Sequence, residues 1–458
     1  MPGVPSSRGC DSCRQQKKKC DLKQPVCTRC TRLHLKCVGS GQQRYKFKEQ
    51  PLSPASQHDQ YPAPGHMFPA GSPARSPSNE STMVAQAFVS ALQVTDLRYN
   101  LSTYGTFLYD IPRRLGSNAV LDAAANVMGS AFPFLHARQY PPHVLVRYGR
   151  ALRTLRTCLD DPVEAPTPNT LCAIYLIIIC QGWLGKADGN CPSHGQAIAH
   201  LLRAAVLREW TSTFEADMVL TLCLPVILES IANPSLRFDP TFWDNAMAFT
   251  RRSSMARESS TGQSTIGLRR LAKIPDFLRF PDPHLHEITA TYQRMRDQSY
   301  RMRHQLAQWS RVAPSSSMEY ARYRAAYCIL VALAVTLNSI LGAFDPSNSA
   351  LAGEAAFFCE EIATTAELAS CHRPLGAGYA SLCLVAAWAA VLDPRQLARI
   401  EGILLEYQTD FPEVQWFDRA VWLRTTFANL RQRVAERASV SDFEHSRLFA
   451  ANEACVVL

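Results

Sequence analysis

From about residue 83 to the end of the chain, apolar residues recur at the three- and four-residue spacing of amphipathic α-helices. One predicted helix begins at Pro168 and ends at Gly185, because proline favours the first turn of a helix and glycine favours its end. Further helices are predicted over 193–210, 318–343, 353–371, 376–392, 395–408 and 414–437, and the polar stretch 251–265 is predicted to be an exposed loop. The pattern therefore predicts an all-α domain over residues 83–458.

A regular apolar stripe follows Pro283, and its neighbouring members stand three or four positions apart. The members are Leu285, Ile288, Tyr292, Met295, Ser299, Met302, Leu306 and Trp309. Such a stripe is either the seam of a coiled-coil dimer or the buried face of a core helix, and we favour the core helix. The sequence also allows a homodimer formed through the helical body.

The longest unbroken apolar runs are Ala325–Val335 and Leu382–Leu392, with eleven residues each. A membrane span needs about 18 apolar residues, so both runs predict buried helices and no membrane partner is expected. The first ten residues, MPGVPSSRGC, contain no apolar segment of the kind that a secretory signal requires. We therefore expect a reducing compartment, in which disulfides are rare.

Residues 51–82 differ sharply in composition, with seven prolines, six serines and no apolar period. Segments of this kind are extended or disordered linkers. The chain is accordingly predicted to contain a disordered N-terminus over 1–9, a cysteine-rich module over 10–40, a basic and then Pro/Ser-rich linker over 41–82, and the all-α domain over 83–458.

The net charge of +9 is confined to one end of the chain. Residues 1–50 carry 12 Lys and Arg against 3 Asp and Glu, so the remaining residues have no net charge. This asymmetry indicates a small module that faces nucleic acid, attached to a neutral body.

Six cysteines in the stretch CDSCRQQKKKCDLKQPVCTRCTRLHLKC repeat one spacing, C-x2-C-x6-C, with a period of 17 residues. They are Cys10, Cys13, Cys20, Cys27, Cys30 and Cys37. A structural zinc ion takes four ligands in a tetrahedron, so six thiolates can hold two zinc ions only if two of the cysteines bridge. The repeat makes Cys10 and Cys27 the matching candidates for the bridging positions.

Three other interpretations of the six cysteines are possible. A disulfide knot is disfavoured by the expected reducing compartment. A thioredoxin-type motif would follow an apolar strand, and no such strand precedes Cys10. A single four-cysteine zinc site would leave two thiols idle and would not account for the repeat. Two-zinc binding is therefore favoured.

This stretch resembles the fungal binuclear zinc-cluster, Zn(II)2-Cys(6), family of transcription factors at all six cysteines. The resemblance agrees that the first and fourth cysteines bridge, and it implies two short helices over 11–18 and 28–35 and a turn at Pro25, often in cis. The predicted body is similar, in the order and composition of its elements, to the helical regulatory region of these regulators. The expected fold is thus a small two-zinc binuclear cluster module of two short helices, a flexible linker, and a large all-α regulatory domain.

The two halves of the repeat differ in charge. The first half contains Arg14, Lys17, Lys18 and Lys19 between its second and third cysteines. The matching positions of the second half include Leu33 and Leu35, which are available for packing between the halves. We predict that the first half enters the major groove, where lysine donates to guanine O6 and N7, and that the second half supports it.

The family resemblance implies that the basic residues between the second and third cysteines read a CGG-type triplet. By position, Lys17 matches the base-contacting lysine, while Arg14 and Lys19 match residues that mainly contact the DNA backbone. Lys18 and Gln16 complete the set of candidate DNA-binding residues. Gln16 departs from the family, which often has Lys or Arg at this position.

A second basic patch follows the cysteines, formed by Arg44, Lys46 and Lys48. Its side chains could contact phosphates, assist nuclear import or simply be solvated. Phosphate contacts carry no base information by themselves.

No nucleophile elbow, P-loop, dinucleotide fingerprint or zinc-protease motif occurs in the sequence, so no enzyme activity is expected. We expect a sequence-specific regulator of RNA polymerase II genes in the nucleus, serving for example a metabolic or biosynthetic gene set. Its expected partners are double-stranded DNA with CGG-type triplets and the transcription machinery or co-regulators. Two alternatives are a metabolite-sensing protein whose helical body binds a small molecule, and a protein-interaction scaffold with a zinc docking module.

Overall fold

The computed structural model describes residues 4–6, 9–38, 44–46, 79–185, 194–206, 212–233, 236, 238, 241–246, 248, 271–312, 317–412 and 414–454. The chain divides into two compact units, Met1–Ala74 and Arg75–Leu458. Most of the predicted linker and the whole predicted loop at 251–265 lie outside the described residues.

The N-terminal unit contains two short helices and a pair of strands. Strand β1 (Val4–Ser6) pairs antiparallel with strand β2 (Arg44–Lys46), with Val4 opposite Lys46. The predicted disorder of 1–9 is therefore wrong for residues 4–6. A three-residue strand held by backbone pairing is too short to show an alternating pattern in the sequence.

Helices α1 (Asp11–Gln15) and α2 (Thr28–Arg32) are each three residues shorter than the predicted ranges 11–18 and 28–35. They end early because Lys17 and His34 adopt φ values of +51° and +50°, in the left-handed region that a right-handed helix cannot continue through. These two residues are 17 positions apart, so the backbone repeats with the period of the cysteines.

The second unit is helical over most of its described residues. Its α-helices are α3 (Glu80–Leu92), α4 (Ala119–Ala131), α5 (Pro142–Leu159), α6 (Pro168–Leu184), α7 (His194–Val206), α8 (Thr213–Ala232), α9 (Ile274–Arg279), α10 (Leu285–Val312), α11 (Met318–Phe344), α12 (Ser349–Ala369), α13 (Tyr379–Ala390), α14 (Pro394–Gln408) and α15 (Trp416–Ala454). Short 3-10 helices lie at Leu97–Tyr99, Leu101–Tyr104, Thr106–Arg114, Phe132–Phe134, Asp282–His284 and Ser370–His372.

One hydrophobic core is built by α3 to α8 and the 3-10 segments that precede α4. Helix α4 packs against α3, α5 and α6. Helix α6 begins with Pro168 after the N-cap Thr167 and ends at Gly185 in the left-handed conformation, which confirms the prediction from its caps. Most residues of α6 are buried, on all faces of the helix, which explains why its sequence is apolar and has no polar face.

A second core is built by α9 to α15, with α11 packed against α10, α12, α13 and α15. By length and composition α11 could cross a membrane, but 72% of its most apolar window is buried inside this body. The first half of the stripe on α10 is the buried face of a core helix, as predicted, since Ile288, Tyr292, Met295 and Ser299 are buried. The buried part of this stripe therefore cannot be an exposed dimer seam.

The two cores meet along the loop before α13. The Leu375 amide donates to the Arg98 carbonyl at 3.1 Å, and Leu375 packs into the first core. A Cβ atom at Gly376 would lie 2.4 Å from the Leu97 carbonyl oxygen, so this close approach of two backbones requires glycine. Residues far apart in the sequence thus join the two halves of the body.

Several predicted bounds shift by a few residues. The helical body begins at Glu80, after the N-cap Asn79, rather than at 83. Helix α12 begins at Ser349 rather than 353 because the Asn348 side chain caps it. Helix α15 continues to Ala454, beyond the predicted end at 437.

Candidate metal centre and nucleic-acid interface

The two cysteine-rich halves fold with the same backbone hydrogen bonds. The carbonyl of Cys10 accepts from the Arg14 amide at 3.0 Å, and the carbonyl of Cys27 accepts from the Thr31 amide at 3.0 Å. Cys10 and Cys27 are the N-cap residues of α1 and α2 and have extended backbones. Each half therefore presents its first thiol before a helical turn and its second thiol, three residues later, from within that turn.

The sulfur atoms of the two halves converge. The Sγ atoms of Cys10 and Cys27 are 3.8 Å apart, those of Cys10 and Cys30 are 3.6 Å apart, and those of Cys13 and Cys27 are 3.8 Å apart. Four sulfurs placed tetrahedrally around zinc at about 2.3 Å stand roughly 3.8 Å from one another. A disulfide would need about 2.05 Å, so the separations fit a shared metal and no disulfide.

Two groups of four sulfurs have all their atoms within 4.8 Å of one another. One group is Cys10, Cys27, Cys30 and Cys37, and the other is Cys10, Cys13, Cys20 and Cys27. The groups have Cys10 and Cys27 in common, which are the two positions where the repeat predicts bridging. Each group supplies the four ligands of one tetrahedral zinc ion, and together they use all six cysteines.

The thiols of this cluster would repel one another if all were ionised without a cation. Burial raises the pKa of Cys13 to about 11, and burial together with the Cys27 and Cys10 thiols raises the pKa of Cys30 above its usual value. The hydrogen bond from the Cys30 amide lowers the pKa of Cys27. A coordinated metal deprotonates such thiols outright, so the donor set fits a metal cluster that releases protons on binding.

The order, spacing and convergence of the six sulfurs decide the identity of this module. Residues 8–46 match the fungal Zn(2)-Cys(6) binuclear cluster domain. A domain of this family binds two zinc ions, and the cysteines here are arranged to hold them. The match indicates a fungal zinc-cluster, DNA-binding transcription regulator, whereas the helical body lies outside the matched residues. No curated protein and no solved structure matches the chain.

The predicted DNA-binding lysines follow α1 and its C-cap residue Gln16 in the zinc cluster. Lys17, Lys18 and Lys19 are exposed, and the Lys18 amide donates to the Cys13 carbonyl at 2.9 Å, which fixes the backbone of the lysine run to a cluster ligand. Arg14 is partly buried, and its buried Nη1 atom has no hydrogen-bond partner among the residues that the structure describes.

The second half supports the cluster in part as predicted. Leu35 packs against the cysteines, whereas Leu33 is 45% exposed, so the predicted packing of Leu33 is wrong. Leu33 is the first residue after α2 and its side chain faces solvent. The spacing of residues in the sequence does not indicate the direction of a side chain beyond the end of a helix. The Gln24–Pro25 peptide bond is cis, as the family resemblance implies.

Two residues make contacts across the halves that the sequence pattern does not predict. Arg29 Nη2 donates to Gln16 Oε1 at 2.6 Å, and Arg29 Nη1 lies 4.0 Å from the Cys13 sulfur. At the matching position of the first half, Ser12 Oγ donates to the Lys36 carbonyl at 2.5 Å. Ser12 and Arg29 each lie between the two cysteines of a C-x2-C pair. This shared position is the sequence signal from which their contacts could have been predicted.

Asp21 supports the start of α2. Its carboxylate accepts from the amide and the hydroxyl of Thr28, and these hydrogen bonds hold the pKa of Asp21 below its usual value. In the second basic patch, Arg44 and Lys46 lie in β2, and Lys48 lies outside the described residues.

Proposed function

We propose that this protein is a sequence-specific regulator of RNA polymerase II genes that acts in the nucleus and reads CGG-type triplets in the major groove. The observation that carries the proposal is the position of three consecutive lysines beside the zinc cluster. The Lys17–Lys19 run is exposed, begins two residues after the end of α1, and belongs to the segment that holds the whole net charge of +9. A basic module on a neutral body is the usual charge pattern of a DNA-binding protein.

The proposal gives Lys17 the base contact. An ammonium group can donate to both O6 and N7 of guanine, which is the richest acceptor pair in the major groove. Lys18 and Lys19 add charge beside it, and Arg14 contacts the phosphate backbone. The side-chain oxygen Oε1 of Gln16 accepts a hydrogen bond from Arg29, which supports the proposal that Gln16 stabilises the cluster and that Lys17 carries recognition.

The helical body is proposed to be regulatory rather than enzymatic. The helical body would contact other copies of the chain and the transcription machinery or co-regulators. These contacts would determine the effect of the DNA-bound protein on transcription. Because the apolar face of α10 is buried in the core, a homodimer would form through other surfaces of the helical body. No membrane partner is proposed, because α11 belongs mainly to the core.

A pair of matched glycine variants tests the base contact. Lys17 and His34 occupy the same position in the two halves and share a left-handed φ, where glycine is the most favourable residue. Lys17→Gly and His34→Gly therefore both remove an exposed side chain while leaving the backbone unstrained. Binding of the full zinc-loaded chain is measured to duplexes with and without CGG triplets, at several salt concentrations.

We expect Lys17→Gly to lower the preference for CGG-containing duplexes roughly tenfold, since a good base contact discriminates by about 1–3 kcal/mol. His34→Gly should keep the preference. A wild-type protein that bound all duplexes equally would refute sequence-specific recognition. A uniform loss of affinity in Lys17→Gly, with unchanged triplet preference, would show that Lys17 contacts only phosphates.

A further inference from the structure

The helical body contains an apolar cavity of about 380 Å³ beside its second core. Residues from α8, α9, α11, α13 and α15 line it, and nearly all of them are aliphatic or aromatic. Leu224 and Trp422 line the cavity and are 38% and 40% exposed, so one side of it reaches the surface. Cavities of a few hundred Å³ with such a lining are typical of small-molecule sites.

Two hydrogen-bond donors in the lining lack partners. The Tyr379 hydroxyl and the Trp416 indole N–H are buried, and neither has a hydrogen-bond partner among the residues that the structure describes. Buried polar groups in folded proteins are nearly always paired, and an unpaired one costs stability. Burial raises the pKa of the Tyr379 hydroxyl, so this group is a neutral donor near neutral pH. Both donors would be satisfied by a ligand that carries acceptor atoms.

The charge of the lining restricts the chemistry of that ligand further. Among the described residues that line the cavity, Arg419 alone is charged, and its guanidinium lies 5.7 Å from the centre of the Trp416 ring. Thr336 is not available as a donor, because its hydroxyl donates to the Ala332 carbonyl at 2.8 Å. The cavity thus offers a cation, two free donors and an apolar wall, with no carboxylate to oppose an anion.

We propose that this cavity binds a small apolar carboxylic acid, with its hydrocarbon part against the aliphatic wall and its carboxylate toward Tyr379, Trp416 and Arg419. A carboxylate accepts several hydrogen bonds at once and is attracted by the guanidinium. Binding itself is independent of DNA recognition, but its use as an effector signal rests on the proposed function.

The test uses the full zinc-loaded chain and two probes, decanoate and its methyl ester. Calorimetry gives affinity and stoichiometry, and a change in tryptophan fluorescence, to which Trp416 and Trp422 in the cavity contribute, gives a second readout. Tyr379→Phe removes one donor oxygen and leaves the ring in place. Tyr140→Phe is the matched control, because the Tyr140 hydroxyl is likewise buried and without a partner among the described residues but does not line this cavity.

We expect one decanoate to bind per chain, and the methyl ester to bind at least tenfold more weakly than decanoate. Tyr379→Phe should bind decanoate roughly fivefold to tenfold more weakly than the wild type, and Tyr140→Phe should bind it with unchanged affinity. Arg419→Gln should weaken binding of decanoate more than binding of the ester. The proposal is overturned if decanoate does not bind saturably, if the ester binds as tightly as the acid, or if the two tyrosine variants lose affinity equally.

The CGG-duplex affinity of the same ligand-free protein is measured in parallel. Intact duplex recognition without decanoate binding overturns the cavity proposal alone. Decanoate binding without duplex recognition supports the cavity and overturns the proposed function.

Discussion

Asp410 joins distant parts of the helical body, and its neutralisation should destabilise the fold. Its carboxylate accepts from Arg138 Nη2 at 2.9 Å and from Arg373 Nε and Nη2 at 2.7 and 3.0 Å. Arg138 follows the first core's short helix Phe132–Phe134, whereas Arg373 and Asp410 belong to the second half of the chain. Asp410→Asn keeps the shape of the side chain and removes the charge that holds both arginines.

The magnitude follows from the burial of the three side chains. The side chains of Asp410 and Arg373 are 9% and 20% exposed, and removal of one partner from a buried pair costs about 3–5 kcal/mol. The Arg138 side chain is 38% exposed, so water replaces much of its lost interaction. Arg373 also keeps a hydrogen bond to Thr409 Oγ1 at 2.9 Å. We therefore expect a loss of about 2–3 kcal/mol in the free energy of unfolding.

Urea and thermal unfolding of the zinc-loaded chain measure this loss. The drop in Tm should be about 3 °C, because a body of this size unfolds with an entropy of roughly 0.8 kcal/mol/K. Glu360→Gln is the matched control, since Glu360 pairs with Arg399 and both side chains are at least one third exposed. That variant should lose less than about 1 kcal/mol. Equal losses in the two variants would refute the argument that the Asp410 cluster owes its effect to burial.

Three further predictions concern the zinc cluster. Cys27→Ser should lose both zinc ions and Cys20→Ser mainly one, as measured by metal analysis, while the exposed Cys371→Ser should retain two; equal losses in the first two would contradict a shared Cys27. Arg29→Ala should weaken zinc retention against a chelator by about tenfold through the loss of its contacts, with Arg29→Lys intermediate, and unchanged retention would exclude a supporting role. Zinc retention should fall as the pH is lowered from about 7.5 to about 5, because thiols such as Cys30, whose pKa is raised, must lose protons to bind metal; retention independent of pH would contradict thiolate ligation.

Features encoded within a short stretch of sequence were predictable. The cysteine spacing identifies the metal module because its ligands recur with a fixed period. Pro168 and Gly185 mark the ends of α6 because each acts on its own backbone. The stripe on α10 identifies its buried face because helical geometry alone places those residues together.

Features made by distant residues were not predictable in this way. Asp410 and Arg138 are 272 positions apart, and neither has a neighbour that indicates the pairing. The contact between Arg29 and Gln16 depends on how the two halves face each other, which the charge pattern does not encode. The cavity likewise depends on five helices whose relative packing no single periodicity specifies. The division of the predicted all-α domain into two hydrophobic cores also depends on the relative packing of helices, so the sequence pattern does not predict it.

The repeated backbone of the zinc cluster has a consequence for how its target could change over evolution. The metal ligands and the contacts across the halves involve mainly the cysteines, Ser12 and Arg29, whereas Lys17–Lys19 are exposed. Substitutions at these three positions therefore alter the proposed recognition surface without removing a ligand or a contact between the halves. A lineage can shift its DNA preference there by single codon changes while the scaffold stays under separate selection for zinc.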